Sequence, residues 1–386
     1  MSALFTAETA PAPEAGWPDR SAVDQVIARL REQPPLVALE DCLDLRRRLA
    51  EVAAGRAHLI QGGDCAELFA EVSAHTVRRK AAQLGELADL VESGTGRETA
   101  AVGRIAGQFA KPRSQPFEPG PYGESLPVYR GDAVNDTRPT AEARTPDPQR
   151  LLTAHRLSAE VHRHLDAERT AGGRPVFTSH EALLLDYELP LTRTDGGQLH
   201  LGSAHLLWIG ERTRDPAGRH VAALAGTANP VAVKLGPTTT AADLTALAAA
   251  LDPERIPGRL SFILRFGADL VEPVLPRLVR AATEAGLQPV WICDPMHGNT
   301  ERSPAGRKIR RTDAVLAEIR ACVRVLRRLG QHPGGLHLEL TPDDVTECVG
   351  PRQDPAVQPR YWTACDPRLN PEQARLAVTA FTEEAG

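Results

Sequence analysis

The sequence is short of aromatic residues, cysteines and long apolar runs. Phe, Trp and Tyr together make up 4% of its 386 residues, and it has 6 cysteines. A disulfide scaffold would need a much higher cysteine density, so we expect a protein of the reducing cytoplasm. No stretch approaches the roughly 18 apolar residues of a membrane-spanning helix, and the start lacks the basic and apolar regions of a signal peptide. We therefore expect no membrane partner.

A strong excess of positive charge is also missing. Lys and Arg number 45 against 50 Asp and Glu, which gives a formal net charge of −5. Because nucleic-acid-binding domains are typically strongly basic, nucleic acid is not an expected partner. Hydrophobic residues make up 42% of the chain, which is enough to bury a large core.

Residues 1–55 are predicted to form an arm and two helices that pack on the main domain. Residues 1–20 are rich in Ala and Pro and lack an apolar period, which predicts a loosely held arm. Two amphipathic helices follow, the first of them capped by Ser21. Their predicted inward-facing residues are Val23, Val26, Ile27 and Leu30 in the first helix, and Leu43, Leu45, Leu49 and Val52 in the second.

Residues 56–386 repeat a short apolar run followed by a helical pattern. The eight runs are His58–Gly62, Ala100–Ile105, Pro175–Thr178, His205–Gly210, Val231–Leu235, Ser261–Phe266, Pro289–Cys293 and Leu336–Leu340. Most are continuously apolar, which is typical of parallel strands covered on both faces. Helical patterns between them include Val77–Val91, Pro148–Thr170, Ala241–Leu251, Leu270–Ala285 and Thr312–Leu329. The pattern predicts the α/β class and a (βα)8 TIM barrel with an N-terminal helical extension; an open doubly wound sheet is the alternative.

Four residues with metal-binding side chains follow the predicted strand ends. They are Cys65 after the first strand, His297 after the seventh, Glu339 at the end of the eighth and Asp366 in the next loop. The carboxyl ends of barrel strands are where active sites lie. Each residue alone has an ordinary explanation, such as a buried cysteine or a loop histidine. Their common position predicts a divalent-metal site, and the mixed ligands suit Mn, Fe, Co or Zn.

A second group of strand-end residues is mostly cationic. It consists of Arg104, Lys111, Arg113, Glu211, Arg212, Lys234, Arg265 and Lys308. Each could be a solvated strand end or the partner of an acidic residue. Cations gathered at one barrel mouth would repel each other unless anions bound among them, so the group predicts a site for phosphate or carboxylate.

Two further segments, SHEALLLDYE and Lys111–Pro148, are candidates for a functional role. Ser179, His180, Glu181 and Glu188 in the first suggest acid–base chemistry, but a capped helix with buried leucines explains most of it. The second is the longest irregular stretch, rich in Pro, Gly and Asp. Loops of this length are usually functional or disordered.

These strings resemble, in order, those of class II 3-deoxy-D-arabino-heptulosonate 7-phosphate (DAHP) synthases. The matching strings run from GGDCAELF through GRIAGQFAKPRS, YRGDAVN, TSHEALLLDYE, WIGERTR, NPVAVKLGP, CDPMHGNT and VTEC to ACDPRLN. The resemblance covers most of the chain. It implies a transferase that condenses phosphoenolpyruvate with erythrose 4-phosphate and water, giving DAHP and phosphate at the start of the shikimate pathway.

The resemblance also implies roles for the residues already singled out. One divalent metal ion, Mn, Co or Zn, is implied to be held by Cys65, His297, Glu339 and Asp366. Phosphoenolpyruvate is implied to be bound by Arg104, Glu211, Arg212, Lys234 and Arg265, and erythrose 4-phosphate by Lys111, Arg113 and Ser114. Glu211 is our candidate for positioning or activating the water, and Lys111 for protonating the new alkoxide.

The chain departs from the longer family members in two places. It has one predicted helix, Pro148–Thr170, where they have additional helices that help to form inhibitory sites for aromatic amino acids. We therefore expect weak or absent feedback by Phe, Tyr or Trp, and a pathway of secondary metabolism such as those of phenazine clusters. Asp136–Thr137 replaces a common Gly-Phe pair, which leaves the local loop shape open.

Four further expectations are left open by the sequence. A homo-oligomer is expected, with a dimer favoured. The acceptor could instead be an imine of erythrose 4-phosphate, as in aminoDAHP synthases of antibiotic pathways. A catalytically inactive regulatory or partner subunit is the alternative from another class. Cys65 and Cys365 are expected to be able to form a disulfide when metal is absent.

Overall fold

The computed structural model of the chain describes residues 15–113 and 115–386. The arm up to residue 14, and the predicted site residue Ser114, lie outside the described residues.

Eight parallel strands close into a barrel. They are β1 (Ala57–Gly63), β2 (Glu98–Arg104), β3 (Val176–Glu181), β4 (Leu206–Ile209), β5 (Val231–Leu235), β6 (Leu260–Leu264), β7 (Val290–Cys293) and β8 (Pro333–Glu339). Each strand pairs with the next in the chain, and β1 pairs with β8 to close the barrel. All eight lie at the predicted segments, so the predicted (βα)8 fold is confirmed and the open sheet is wrong.

The helices lie mostly between the strands and cover the barrel. Their bounds are α1 (Arg20–Arg31), α2 (Leu39–Ala53), α3 (Ala74–Thr95), α4 (Ala141–Arg144), α5 (Gln149–Thr170), α6 (Leu185–Glu188), α7 (Arg219–Leu224), α8 (Ala241–Leu251), α9 (Val271–Glu284), α10 (Thr312–Arg328) and α11 (Pro371–Ala385). Helix α8 illustrates the local cause: Thr240 and Asp243 form a reciprocal capping box at its start. Its buried leucines then recur at helical spacing.

Several loops contain short strands that form small sheets outside the barrel. Phe117–Pro119 and Ser125–Pro127 form a hairpin, Thr192–Asp195 and Gln198–Leu201 form another, and Thr300–Arg302, Lys308–Arg311 and Cys348–Val349 form a small sheet. The first hairpin and α4 lie inside the predicted irregular stretch Lys111–Pro148. That stretch therefore contains local structure that the composition did not indicate.

The barrel interior changes from apolar to polar along its axis. Below the polar mouth, Leu59, Trp208 and Ile292 in the middle of their strands share one buried cluster with Leu45 and Leu49 of α2. Helix α2 therefore closes this end of the barrel. Because strand side chains alternate between faces, the next inward-facing residues lie two positions further along. Many of these are polar or charged, and they form the opposite, carboxyl end.

The N-terminal extension differs in detail from the prediction. Asp19, not Ser21, caps α1, because its carboxylate accepts hydrogen bonds from the backbone N–H groups of Ser21 and Ala22. Residues 15–20 are not loosely held: Ala15 is buried, and the indole of Trp17 donates to Asp186 at 3.0 Å.

Two predicted inward-facing residues of the extension are only half-buried, namely Ile27 and Leu43. In α2 the buried position next to Leu43 is taken by Cys42. The division into residues 1–55 and 56–386 stays a proposal. It is supported by the position of α1 and α2 before the first barrel strand, where α2 covers the barrel end.

The segment SHEALLLDYE is not one capped helix. Ser179, His180 and Glu181 belong to β3, and only Leu185–Glu188 is helical. The prediction followed the leucines and missed that the preceding residues complete a barrel strand. His180 points away from the barrel axis, where its ring contacts the Glu188 carboxylate at 2.8 Å.

Candidate active site

A cavity of about 240 Å³ opens at the carboxyl end of the barrel. The predicted residues that line it are Lys111, Arg113, Glu211, Arg212, Lys234, Arg265, His297, Lys308 and Asp366; Glu181, Gly210, Thr300, Pro112 and Cys365 complete the lining. The structure thus brings together most of the two predicted groups, because the ends of parallel strands meet at one edge.

Three of the four predicted metal ligands converge on one point. The ligand atoms of Cys65, Glu339 and Asp366 all lie within 4.8 Å of one another, and all three residues are buried. His297 is outside this compact set, but its Nε2 lies 3.1 Å from Oε1 of Glu339. Together they offer one sulfur, one nitrogen and two carboxylates. This mixture fits a borderline divalent cation better than Mg or Ca.

Glu339 is paired with several cations at the barrel mouth. Oε1 accepts from Arg104 at 3.0 Å and from Lys111 at 3.1 Å, and Oε2 accepts from Arg310 at 2.7 Å. Burial alone would raise the pKa of Glu339, but His297 and these three cations hold it well below its ordinary value. Glu339 is therefore ionised and available as a hard ligand.

Lys111 lies among the predicted metal ligands. Its Nζ is 2.6 Å from Sγ of Cys65, 2.8 Å from Oδ2 of Asp366 and 3.1 Å from Oε1 of Glu339. Burial would lower the pKa of Lys111, but Asp366, Cys65 and Glu339 raise it well above its ordinary value. The side chain is thus an ammonium with three acceptors close by. Ser114, three residues on, lies outside the described residues.

Asp294, which the sequence analysis did not single out, holds two predicted site residues. One oxygen lies 3.1 Å from Nζ of Lys234, and the other accepts from the backbone N–H of His297. The Nδ1 atom of His297 lies 2.8 Å from Oδ2 of Asp294. Because the carboxylate of Asp294 accepts a hydrogen bond from Nδ1, Nε2 of His297 is free to bind a metal ion. This is the usual arrangement of a metal-binding histidine. Asp294 directly follows β7, at the carboxyl end of the barrel where active sites lie. This position could have identified it as a site residue from the sequence.

Arg104 lies beneath the cavity and does not line it. The residue is 2% exposed, and its guanidinium contacts Glu339, the backbone of Asp64 and Nε2 of His337. Because arginine can only donate, Nε2 of His337 accepts and its Nδ1 donates to Gln61 at 2.7 Å. Burial, reinforced by Lys234 and Arg104, lowers the pKa of His337 well below its ordinary value. His337 is therefore neutral and orients Arg104.

Lys234 faces the cavity from inside the barrel. Burial and the charge of Arg104 lower its pKa to about 8, although Asp294 opposes this shift. Its ammonium also lies 5.8 Å from the ring centroid of Trp208. An anion bound in the cavity would raise the pKa of Lys234, because a nearby negative charge favours the protonated form of the lysine.

Two carboxylates border the cavity next to glycines. Gly210 leaves room for Glu181, since a Cβ there would lie 2.1 Å from its Oε1. Gly236 does the same for Glu211, where a Cβ would lie 2.8 Å from the carboxyl carbon. One oxygen of each carboxylate is buried without a hydrogen-bond partner among the described residues. The sequence pattern predicts Glu211 at the site but indicates a helix for Glu181.

A buried ion-pair network fixes the loop that carries Asp366. Glu347 accepts from the backbone N–H groups of Trp362 and Arg368, and it pairs with the Arg368 guanidinium at 2.9 Å. Arg368 also donates to Asp64 at 2.6 Å, next to Cys65. The network therefore links the two chain segments that bring Cys65 and Asp366 together. The string VTEC contains Glu347, but no local pattern indicated this contact.

Cys65 and Cys365 are both free thiols, and each shifts the pKa of the other. Burial, then the neighbouring Cys365 and Glu339, raise the pKa of Cys65 well above its ordinary value. The neighbouring Cys65, together with Lys111 and Arg113, lowers the pKa of Cys365. Cys365 is therefore the more acidic partner of the pair.

Comparisons with known proteins identify one enzyme family. The sequence profile of the class-II DAHP synthetase family matches residues 6–174 and 164–381. A phospho-2-dehydro-3-deoxyheptonate aldolase of Streptomyces coelicolor is 43% identical, over 93% of this chain and 91% of its own. A probable enzyme of the same name from Pseudomonas fluorescens is 47% identical, over 95% and 93%.

The solved structure of the phospho-2-dehydro-3-deoxyheptonate aldolase of Francisella tularensis SCHU S4 shares the fold. It superposes with a TM-score of 0.54 at 14% identity, covering 94% of this chain and 96% of its own. Together the fold and the residues at its mouth define a barrel enzyme with cations, carboxylates and a thiol at the carboxyl ends of its strands. The chain belongs to the class-II DAHP synthetase family, and the predicted family and DAHP synthase activity are confirmed.

Proposed function

We propose that the cavity condenses phosphoenolpyruvate with erythrose 4-phosphate and water to give DAHP and inorganic phosphate. The observation that carries the proposal is the meeting of Arg113, Lys234 and Arg265 around one cavity with the carboxylates of Glu211 and Asp366. Two phosphorylated substrates repel each other, so holding them within reacting distance needs several fixed cations.

Four residues are proposed to hold one divalent metal ion: Cys65, His297, Glu339 and Asp366. The fit rests on the chemistry of the donors and on the mutual closeness of three of them. When bound, the ion would act as a Lewis acid that polarises the aldehyde of erythrose 4-phosphate. Binding would favour the thiolate of Cys65 over its buried neutral thiol. We propose Mn or Co, with Zn as the alternative.

Phosphoenolpyruvate is proposed to bind on the side of β4 to β6. Lys234 and Arg265 lie on this side, and Arg212 stands exposed at the rim. Arg104 would act from beneath, through its fixed charge and its contact with Glu339. Erythrose 4-phosphate is proposed to bind near Lys111 and Arg113, with Ser114 kept in the proposal from the sequence alone.

Two side chains are proposed to handle water and protons. Glu211 would orient or deprotonate the water that adds to C2 of phosphoenolpyruvate, since one of its oxygens is buried and has no partner among the described residues. Lys111 would donate a proton to the alkoxide formed from the aldehyde, because its raised pKa keeps it charged.

Several finer expectations remain proposals. An imine of erythrose 4-phosphate as acceptor is the alternative reaction, whereas an inactive partner subunit is disfavoured because the ligand residues and cations are all present in the sequence. We retain a secondary-metabolic role without aromatic feedback, supported by α5 being the one long helix described between β2 and β3. A dimer and a cytoplasmic location are also retained, the latter supported by the free cysteines. Among the described residues, no helix is long and apolar enough to cross a membrane.

The direct test follows the loss of phosphoenolpyruvate in metal-depleted protein. Erythrose 4-phosphate and each of Mn, Co and Zn are added back, and release of DAHP and phosphate in equal amounts is expected. His297→Ala should lose the metal-stimulated rate, while His75→Ala, on the exposed start of α3, serves as the control. No turnover with any of the metals would contradict the proposal.

A further inference from the structure

The loops after β6 and β7 touch through their backbones. A Cβ on Gly298 would lie 2.1 Å from the backbone nitrogen of Gly267, so only glycine allows this approach. Gly267 also has a φ of +89°, which favours glycine. Arg265 of the first loop donates to the backbone carbonyl of His297 in the second at 3.4 Å. The two loops thus form one unit that carries Arg265 and His297.

A buried carboxylate from α10 binds this unit from behind. Glu318 is 1% exposed. Its Oε1 accepts from the backbone N–H groups of Phe266 at 3.0 Å and Gly267 at 2.8 Å. Its Oε2 accepts from Nδ2 of Asn299 at 2.6 Å. A buried carboxylate is costly unless it is hydrogen-bonded, and these three partners all come from the two loops.

Asn299 completes the connection between the loops. Its Nδ2 also donates to the carbonyl of Pro295, and its Oδ1 accepts from the backbone N–H of Ala268 at 3.1 Å. One amide therefore bridges both loops, and Glu318 bridges the same two loops independently. Neither side chain lines the cavity.

We propose that Glu318, together with Asn299, is a positioning residue of the DAHP synthase site. The pair sets the distance between Arg265, proposed to bind phosphoenolpyruvate, and His297, proposed to bind the metal. The inference rests on the proposed function of these two residues. Its physical basis is that two short loops held at backbone level by one rigid helix cannot shift separately.

Reciprocal exchange of the two side chains tests the proposal. In Glu318→Gln the amide oxygen can still accept from the backbone N–H groups. Its NH2 group, however, faces the NH2 group of Asn299, so two donors meet without an acceptor. Asn299→Asp sets two carboxylates against each other. The double variant restores one donor–acceptor pair, although the contact with Pro295 is lost. Glu92→Gln is the matched control, since Glu92 accepts from the backbone N–H of Thr99 at the amino end of the barrel.

Binding of Mn by equilibrium dialysis and the separate KM values of the two substrates are the measurements. Each single variant should bind Mn about 10-fold more weakly, as is typical when a partner of a ligand loop is removed. At saturating Mn, the KM for phosphoenolpyruvate should rise, and that for erythrose 4-phosphate should not. The double variant should recover part of both losses, and the control should match the wild type.

Unchanged Mn affinity and KM in folded Glu318→Gln would overturn the proposal. Equal rises in both KM values, without recovery in the double variant, would also overturn it, since that is the result of a general structural role. If Glu318→Gln does not fold, Asn299→Asp alone gives the same readouts. A wild type that binds Mn but lacks turnover would instead contradict the proposed function, because the dialysis does not depend on activity.

Discussion

At the scale of single residues, the mouth of the barrel is organised around Glu339. Its two oxygens are shared by cations that arrive from β2 (Arg104), from the loop after β2 (Lys111) and from the strand before α10 (Arg310). Arg310 is fully buried. Removing one partner of such a buried pair leaves an uncompensated charge. The charges at the site are therefore mutually dependent, and single substitutions here will affect stability as well as chemistry.

The paired thiols of Cys65 and Cys365 give the prediction at this scale. In metal-depleted protein, peroxide should join them as a disulfide, with peroxide accepting the two electrons and two protons that the thiols lose. The lowered pKa of Cys365 favours its thiolate as the first group to react. Peptide mass spectrometry without reductant should find the linked peptides, and dithiothreitol should restore metal binding.

Protein preincubated with Mn should resist this oxidation, and Cys365→Ser should lose the linkage. Cys42 and Cys348, which are buried free thiols, serve as internal controls. A linkage that forms equally fast with and without Mn would contradict the idea that the cation and the disulfide compete for Cys65.

The residues that the sequence revealed are those whose position in a strand is itself unusual. Glu339 and Lys234 interrupt apolar runs, and Cys65 and His297 lie within four residues after the end of one. Arg310, Glu347 and Glu318 were missed because their partners Glu339, Arg368 and Asn299 lie 19 to 29 residues away along the chain. Each of them forms hydrogen bonds with a residue of another chain segment, and a local sequence pattern does not show which segments come together. His337 shares its face of β8 with Glu339, so alternation could have found it.

At the scale of elements, α2 supports the barrel without taking part in the site. Leu49 is fully buried in the cluster that fills the amino end. Leu49→Ala should lower the free energy of unfolding by about 2 to 5 kcal/mol, because it leaves a cavity in a packed core. Urea titration followed by circular dichroism measures this change, and KM for both substrates should stay the same.

Leu43→Ala is the matched control on the same helix. Its side chain is only half-buried, so the loss should be clearly smaller. An equal loss for the two variants would mean that α2 does not present Leu49 to the barrel as described. The prediction from sequence placed both leucines inward, since apolar periodicity alone does not separate adjacent rows of one face.

The elements themselves could be predicted because each has a local cause. The barrel strands are short apolar runs ended by polar residues, and α8 and α10 follow a helical apolar period. The hairpin Phe117–Pro119 with Ser125–Pro127 could not be predicted in this way. Its strands have three residues each, and side-chain contacts such as that of Glu118 with Arg144 at 2.7 Å help to hold it.

At the scale of the whole molecule, buried histidines make stability depend on pH. His58 is fully buried on β1 and stacks on His332 with ring centroids 4.7 Å apart. Burial, then the charges of His332 and Arg97, lower its pKa to about 4. The unfolded chain takes up this proton near pH 6.5. The contribution of His58 is therefore fully present above that pH and is lost as the pH falls toward 4.

Between pH 7.5 and pH 5, His58 alone should cost the folded state about 2 kcal/mol. The test compares urea unfolding of the wild type with that of His58→Gln, whose amide can still donate to the carbonyl of Pro333. The wild type should lose more stability than the variant over this range. Parallel pH profiles for the two proteins would contradict the shifted pKa.

The closing ladder between β1 and β8 has a consequence for how the protein is made. The first strand is made well before its partner, which ends at Glu339, and the chain then continues to Asp366. Cys65 and Asp366 are 301 positions apart. During synthesis the seam of the barrel cannot close before Glu339 has emerged from the ribosome, and the cluster of donor atoms cannot form before Asp366 has. A polypeptide released before Asp366 carries the cysteine without its full set of carboxylate neighbours, so the proposed metal site would form only after about 300 further residues have followed Cys65.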